Sequence, residues 1–499
     1  MVQNRSRVDD DGDSSHTSDT GGSTTTCKPP PGKTYLTIGQ DFFSVQDYVL
    51  RQYNASLHRP DGHHVSDEVG DDSSRPASSI FPLTYFHPAA TMVYTDIYQL
   101  KGLDQPADYG SGIEYAKGLA DAFPESGLQI GLWLNGSQGC RDIVSGVLDD
   151  KVHRLFEFIQ SELPQSLPQV FLRVGYEFDN PWFGYSDDPT SYQEAFQKLV
   201  RACERQMTPK LCHDKVDFVW HSWAAPRIDG VSLDQFYPGD GFVDWVGVSI
   251  FQQLYPWAND EKQNENGNFA GGDLTAVKEV LEFAKHRKKL IMVAESAPFG
   301  GMNVAESNVA KAYIEVAKNR NNIWNLWFQK IIDLIEEFDI SMWSYINCDW
   351  GSQPMWSGIG FGDTRLSSSN VVMNQWWEQV LSNHSRFMLR IEGCGRQPYP
   401  TSGNRVKQEG GLTKQQRRTA TNNGLTAIDG FDNNNRRADY FTLNHMVPYL
   451  LCGVGAITIS IATLHLITMK ITNSRAQKHR KETRSLTSEG QNTNYGSLK

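Results

Sequence analysis

Eight short apolar runs, separated by amphipathic stretches, recur between Tyr35 and Leu381 and limit the possible folds most strongly. They are YLTIGQD, TMVYTD, LQIGLWLNG, VFLRVGYE, VDFVWHSW, VDWVGVSIF, KLIMVAES and ISMWSYIN. Continuous rather than alternating apolar runs are typical of parallel strands covered on both faces. Intervening segments such as DPTSYQEAFQKLVRACERQ carry the apolar spacing and capping residues of helices. Eight strand–helix units predict an α/β fold, a (β/α)8 TIM barrel. The alternative, a doubly wound sheet, is less favoured because no glycine-rich phosphate loop follows a run.

The segments on either side of these units differ from them in composition. Residues 1–33 are rich in Ser, Thr, Asp and Gly, so we expect a disordered segment before a barrel domain at 34–394. A polar linker, 395–446, precedes an uncharged apolar run, 447–469, which is long enough to cross a bilayer as one C-terminal transmembrane helix. The tail, 470–499, is basic. This asymmetry predicts a single-pass membrane protein with a cytoplasmic tail and an extracellular or lumenal barrel.

Other features bear on export of the barrel. Asn54-Ala55-Ser56 and Asn383-His384-Ser385 are sequons for N-glycosylation. Six cysteines precede the apolar run, an even number compatible with disulfides, and the favoured pair is Cys203 with Cys212 because they flank a short loop. The first residues, MVQNRSRVDDDGDSSH, contain no apolar segment of a signal peptide.

The charge and composition of the chain limit the kinds of ligand that it could bind. A formal net charge of -11 disfavours nucleic acid, and 13 Trp suit a neutral polar ligand such as a polysaccharide or oligosaccharide. His63 and His64 are adjacent, a spacing that suits no regular metal site, and there is no Cys-x-x-Cys; we therefore predict no metal or cofactor. The tail ends in YGSL, Tyr495 to Leu498, which has the pattern of a signal for a sorting adaptor.

Two of the predicted strands end on a glutamate, the fourth on Glu177 and the seventh on Glu295. Active sites of (β/α)8 barrels lie at the C-terminal ends of the strands, so the two carboxyls could flank one bond. Each glutamate alone could equally be structural, and Glu177 could pair with Arg173, which points the same way on its strand. The two together at these strands favour catalysis.

Aromatic and polar side chains also gather at strand ends. The aromatic residues are Trp133, Trp182, Phe183, Tyr185, Trp223, Trp257, Trp343, Trp350 and Trp356. Such a group could provide stacking surfaces for sugar rings, although aromatic residues more often belong to a core. Asp96, Asn135 and His221 end the second, third and fifth strands and are predicted contacts to sugar hydroxyls; for each, a structural hydrogen bond is the alternative.

The segment RVGYEFDNPWFGY, 173–185, resembles the R-x-x-H-E-M-N-G-x-W-F-x-W segment of glycoside hydrolase family 26, best known for β-mannanases. The resemblance extends over about 34–381 and includes the second glutamate. It implies that Glu177 is the acid/base and Glu295 the nucleophile, with Trp182 and Phe183 beside the cleaved sugar. The predicted substrate-binding set is Asp96, Trp133, Asn135, Tyr176, Trp182, Phe183, His221 and Trp343.

The resemblance further implies a retaining mechanism, for which the two carboxyls lie about 5–5.5 Å apart. The expected activity is that of a cell-surface endo-β-glycanase acting on polysaccharide of the mannan or β-glucan class. The alternative is a catalytically inactive, glycan-binding surface protein on the same barrel.

Three departures from the family pattern argue against assigning mannan specificity. Tyr176 stands in place of His, Asp179 in place of Asn, and Phe251 in place of the strand-six Tyr that normally bonds the nucleophile. Gln252 or Tyr255 would have to substitute for that hydroxyl.

Overall fold

The computed structural model describes residues 27–57, 82–224, 232–251, 253–254, 274–302, 323–356 and 360–392. Within these residues, eight parallel strands pair in sequence order and the last pairs with the first, which closes a barrel. The strands are β1 (Thr34–Gly39), β2 (Ala90–Asp96), β3 (Gly127–Trp133), β4 (Val170–Val174), β5 (Val216–Ser222), β6 (Trp245–Ile250), β7 (Leu290–Ser296) and β8 (Met342–Ile346). Each overlaps one of the eight apolar runs, so the predicted (β/α)8 barrel is confirmed.

Helices pack around the barrel between the strands. Those in the described residues are α1 (Phe42–Leu57), α2 (Ala116–Ala122), α3 (Gly136–Ser145), α4 (Asp149–Glu157), α5 (Pro189–Met207), α6 (Pro209–Lys215), α7 (Leu274–His286), α8 (Gln329–Phe338) and α9 (Asn370–Trp376). The predicted cap of α5 is present, because the Asp188 carboxylate accepts a hydrogen bond from the backbone N–H of Ser191 at 3.1 Å. Two small elements complete the fold, a hairpin of Ala107–Asp108 with Ile113–Glu114 and a short strand, Phe387–Met388, beside β1.

The barrel interior changes from apolar to polar along the strands. Near their N-terminal ends it is filled by an apolar cluster that includes Tyr35, Phe171, Trp245, Met292 and Met342. Further along, buried polar side chains replace them, namely Gln129, Arg173, His221, Ser249 and Ser344. Because alternate residues of a strand point to the same face, an inward Phe171 predicts an inward Arg173. The polar end of the barrel lies where the active site of this fold is expected.

The even number of cysteines before the apolar run is compatible with full pairing in disulfides, but the structure shows only partial pairing among the described residues. Cys203 and Cys212 form the predicted disulfide, with a Cα–Cα distance of 5.7 Å. Cys140 and Cys348 are free and buried, so these two are not disulfide-bonded.

The predicted terminal segments lie mostly outside the described residues. Of the predicted disordered segment, 1–33, residues 27–33 are described, and Cys27 and Pro29 are buried against the barrel rather than disordered. No helix within the described part of the chain is both long and apolar enough to span a membrane. The predicted linker at 395–446, span at 447–469 and tail at 470–499 fall outside that part.

Candidate active site

Glu177 is held at the end of β4 by an unusual backbone turn. Gly175 and Glu177 both have positive φ, 55° and 53°. A Cβ at Gly175 would lie 2.6 Å from the Tyr192 ring, so the turn requires glycine there. A non-glycine residue in the left-handed region is uncommon, and such residues cluster at functional sites. At this turn Glu177 lies 7% exposed at the polar end of the barrel.

Two neutral donors hold the carboxyl of Glu177. The Ser249 hydroxyl donates to Oε1 at 2.6 Å, and the Asn180 amide donates to Oε2 at 3.1 Å. Burial, followed by repulsion from Glu295, raises the pKa of Glu177 to about 8, although the two donors partly oppose this rise. Glu177 is therefore a carboxyl that can hold its proton near neutral pH.

Glu295, near the end of β7, has a different partner. The Arg173 guanidinium donates to its Oε1, and both side chains are buried. Arg173 also lies over the rings of Tyr94 and Tyr176, with its Cζ 4.8 Å and 5.4 Å from their centroids. The structural alternative for Glu177, an ion pair with Arg173, is thus wrong: the arginine bonds the second glutamate.

A chain of hydrogen bonds connects the two glutamates through the barrel interior. Arg173 Nη1 lies 3.3 Å from His221 Nδ1, and His221 Nε2 lies 3.0 Å from the Ser249 hydroxyl that bonds Glu177. Ser249 is also the register partner of Glu295 on the neighbouring strand. Burial and the adjacent Arg173 cation hold the pKa of His221 well below its usual value. A fully buried, neutral His221 serves this network, in line with the structural alternative rather than with a sugar contact.

The loop after β4 is anchored to the end of β5. The Asp179 carboxylate accepts hydrogen bonds from the Ser222 hydroxyl at 2.6 Å and from the backbone N–H of Trp223 at 2.7 Å. The Asn180 side-chain oxygen accepts one from the backbone N–H of Trp182 at 3.0 Å. These bonds position Trp182, which is 55% exposed and whose ring lies 5.0 Å from that of Trp223. Asp179, a departure from the family pattern, therefore has a structural role here.

The other predicted substrate contacts divide by exposure. Trp133 and Asn135 are exposed at the end of β3. Tyr176 and Phe183 are half-buried and make an edge-to-face contact at 5.7 Å. Asp96 is half-buried, and its carboxylate accepts hydrogen bonds from the backbone N–H groups of the following turn, at 3.0 Å and 2.9 Å.

Trp343 is not brought to the site. Its ring is fully buried and packs against Trp376 of α9, 5.1 Å away, and against Phe387. Its neighbours Met342 and Ser344 occupy the barrel interior, so Trp343 faces the helices, and a sugar contact does not fit this position.

Phe251 stands at the end of β6 without a hydroxyl for the nucleophile. Its ring lies 5.5 Å from that of Phe361 and 6.5 Å from that of Trp350. The proposed substitutes, Gln252 and Tyr255, lie outside the described residues. Trp350 stacks on Phe361 at 4.5 Å, so this part of the aromatic group packs on itself rather than forming an open platform.

Sequence reasoning missed three residues that contact the glutamates, namely Arg173 as the partner of Glu295 and Ser249 and Asn180 as donors to Glu177. A signal was available for Ser249, because it follows Trp245 by four residues on the strand and therefore shares its inward face. Within the described residues, no group of three or more His, Cys, Asp or Glu side chains could hold a metal ion.

Among solved structures, the barrel is similar to a GH26 β-mannanase from Bacteroides ovatus. The similarity covers 72% of this chain and 99% of that chain, at 13% sequence identity and a TM-score of 0.40.

The sequence comparisons are more informative. The sequence model of glycosyl hydrolase family 26 matches residues 134–329, which include both glutamates. A beta-1,3-xylanase from an Alcaligenes species is 28% identical over 354 residues, or 66% of this chain and 68% of that protein. Beta-1,3-xylanase TXYA from a Vibrio species is 28% identical over 344 residues, or 65% of this chain and 67% of that protein. The family match within residues 134–329 and these two relatives show that the chain is a glycoside hydrolase with a region similar to glycosyl hydrolase family 26.

Proposed function

We propose that this glycoside hydrolase cleaves β-linked polysaccharide with retention, with Glu177 as the acid/base and Glu295 as the nucleophile. The observation that carries the proposal is the contrast between their surroundings. Glu177 receives hydrogen bonds from two neutral groups, whereas Glu295 receives one from the Arg173 cation. Retaining glycosidases need one carboxyl that can hold a proton and a second that attacks as a carboxylate. The two environments provide that division of labour.

In the first step, Glu177 protonates the glycosidic oxygen while Glu295 attacks C1, forming an ester between Glu295 and the sugar and releasing the leaving-group alcohol. A pKa of about 8 keeps Glu177 protonated at neutral pH. This reaction requires the two carboxyls to lie about 5–5.5 Å apart across the cleaved bond.

In the second step, Glu177 acts as a base. The ester at Glu295 carries no charge, so the repulsion that helps raise the pKa of Glu177 is gone, and its pKa falls while the ester lasts. The Glu177 carboxylate then takes a proton from water as the water attacks C1, and hydrolysis restores Glu295. The same residue thereby donates a proton in one step and accepts one in the next.

The proposed substrate is a β-linked polysaccharide cleaved internally. Both relatives described above are named as beta-1,3-xylanases, so β-1,3-xylan joins mannan and β-glucan as a candidate. Trp182 and Trp133 are 55% and 37% exposed, which suits stacking against sugar rings. Asn135, beside Trp133, offers a polar contact for a sugar hydroxyl.

The test uses the purified protein on β-1,3-xylan, mannan and β-glucan, followed by NMR of the newly formed anomeric centre. We expect hydrolysis of one of them with retention. Glu295→Gln should abolish turnover, whereas Glu177→Ala should lose activity on polysaccharide but retain it on aryl glycosides with good leaving groups. Full activity of Glu177→Ala on polysaccharide would refute the assignment. Tight binding of a glycan by the wild type without hydrolysis would favour the glycan-binding alternative.

We further propose that the enzyme is anchored in a membrane by 447–469, with its barrel on the outer or lumenal side and the 495–498 pattern on the cytoplasmic side. The Cys203–Cys212 disulfide supports this location, because structural disulfides persist in oxidising compartments. Asn54, the acceptor of the first sequon, is exposed on α1 and accessible to glycosylation. Protease added to intact cells should release the barrel; a fully protected barrel would reject this orientation.

A further inference from the structure

The hydrogen atoms in the chain from Arg173 to Glu177 can be assigned from chemistry alone. A guanidinium only donates, so His221 Nδ1, 3.3 Å from Arg173 Nη1, must accept. The proton of neutral His221 is therefore on Nε2, which donates to the Ser249 oxygen at 3.0 Å. The Ser249 hydrogen is then left for Glu177 Oε1, at 2.6 Å. Every hydrogen bond of the chain points from the arginine towards the acid/base.

The second oxygen of Glu177 is fixed in the same way. The backbone N–H of Trp182 donates to the Asn180 side-chain oxygen at 3.0 Å, which orients the amide. Its nitrogen therefore faces Glu177 Oε2, at 3.1 Å. Each oxygen of a carboxyl group has two lone pairs. In Glu177, one lone pair of each oxygen accepts a hydrogen bond from the protein, from Ser249 at Oε1 and from Asn180 at Oε2. The acidic proton of Glu177 must therefore occupy one of the two remaining lone pairs.

We propose that Ser249, oriented by His221, is a positioning residue that keeps the acidic proton of Glu177 on the side open to substrate. This rests on the proposed role of Glu177 as the acid/base. Strand β6 thus supports the acid/base through Ser249, whereas the family pattern places the support of the nucleophile two residues later, where this chain has Phe251. Ser249 does not itself touch substrate; it acts through Glu177.

Other charged and titratable groups around Glu177 remain in place when Ser249 is changed. Tyr176 and Asp179 lie on the same loop as Glu177. Arg173 lies on β4, His221 on β5 and Glu295 on β7. Loss of the Ser249 hydroxyl removes a donor that favours the carboxylate. The protonated form of Glu177 should therefore persist to higher pH.

The test compares Ser249→Ala with wild type on β-1,3-xylan and on dinitrophenyl β-xylobioside. We expect kcat on the polysaccharide to fall about tenfold with little change in KM, since part of the benefit of general acid catalysis is lost. The basic limb of kcat/KM should move up by about one pH unit. With the dinitrophenyl substrate, which needs no proton in the first step, the substitution should lower the rate of glycosylation less. Ser249→Thr, which keeps the hydroxyl, should restore the wild-type pH profile.

The matched control is Ser344→Ala, which removes another fully buried hydroxyl of the barrel interior whose partner is Gln129, 2.9 Å away. It should leave the pH profile unchanged. If Ser249→Ala does not fold, Ser249→Cys, with a weak S–H donor, takes its place and should move the limb in the same direction. A wild-type pH profile and leaving-group dependence for folded Ser249→Ala or Ser249→Cys would overturn the positioning role, even with Glu177→Ala inactive on polysaccharide. Full activity of Glu177→Ala would instead overturn the proposed function.

Discussion

Replacement of Arg173 by Met tests whether the buried ion pair holds the site together. Arg173 is fully buried and bonds Glu295, whose side chain is 9% exposed. Removing one partner of a buried pair leaves the other charge without compensation, which typically costs about 3–5 kcal/mol. The lost bond to His221 adds about 1 kcal/mol. We therefore expect Arg173→Met to lower the free energy of unfolding by about 4–6 kcal/mol and to abolish hydrolysis.

A double-mutant cycle separates the ion pair from general loss of packing. Glu295→Gln should also lower the free energy of unfolding, because it leaves the buried Arg173 cation without a compensating charge even though the amide oxygen still accepts its hydrogen bond. Adding Glu295→Gln to Arg173→Met should recover at least about 2 kcal/mol, since neither charge then remains buried. The measurement is urea unfolding followed by tryptophan fluorescence, which needs no enzymatic activity. If the two substitutions were additive within about 0.5 kcal/mol, the ion-pair reasoning would fail.

Two further predictions concern pH and substrate binding. Asp217 lies at the start of β5, and burial raises its pKa to about 7. Between about pH 4 and pH 7 the folded protein therefore holds a proton on Asp217 that the unfolded chain has released. Stability should fall as pH rises through this window, and Asp217→Asn should flatten the decline in thermal scans; an unchanged slope would refute the linkage. Trp182→Ala should lower kcat/KM on polysaccharide about tenfold without lowering the unfolding temperature. Leu211→Ala, at an exposed position on α6, is its control and should have no effect; equal effects would exclude stacking.

The sequence predicted those features that depend on single strands. All eight strands were located because each buried strand is a continuous apolar run with polar flanks. Glu177 and Glu295 were singled out because they end two of the predicted strands, where the active site of a (β/α)8 barrel lies. In contrast, the partners of the two glutamates come from other strands and depend on register. A register shift after Val248 leaves Ala294 of β7 as an extra residue and pairs Ser249 with Glu295, and no local pattern predicts it.

The dependence on contacts between strands also explains why Trp343 was wrongly predicted to contact substrate. In an apolar run such as ISMWSYIN, both faces of the strand are buried, so hydrophobicity does not reveal which residues face the barrel interior. Only the contacts of Met342 in the interior and of Trp343 with Trp376 distinguish the two faces. His221 was correctly placed at a strand end, but its burial depends on the neighbouring loop and strand.

The contrast between a cation and neutral donors also accounts for the tolerance of Phe251. In the described residues Glu295 already receives a charged donor from Arg173, and a bond to a charged group contributes about twice as much as one between neutral groups. A tyrosine hydroxyl on β6 would add a neutral donor to a carboxylate that has this cation. Among the bonds described, Glu177 has no cation in direct contact, and its carboxyl is held by Ser249 and Asn180. Loss of a neutral donor should therefore matter more at Glu177 than at Glu295, and we expect the proposed catalytic pair to tolerate phenylalanine at 251 better than alanine at 249.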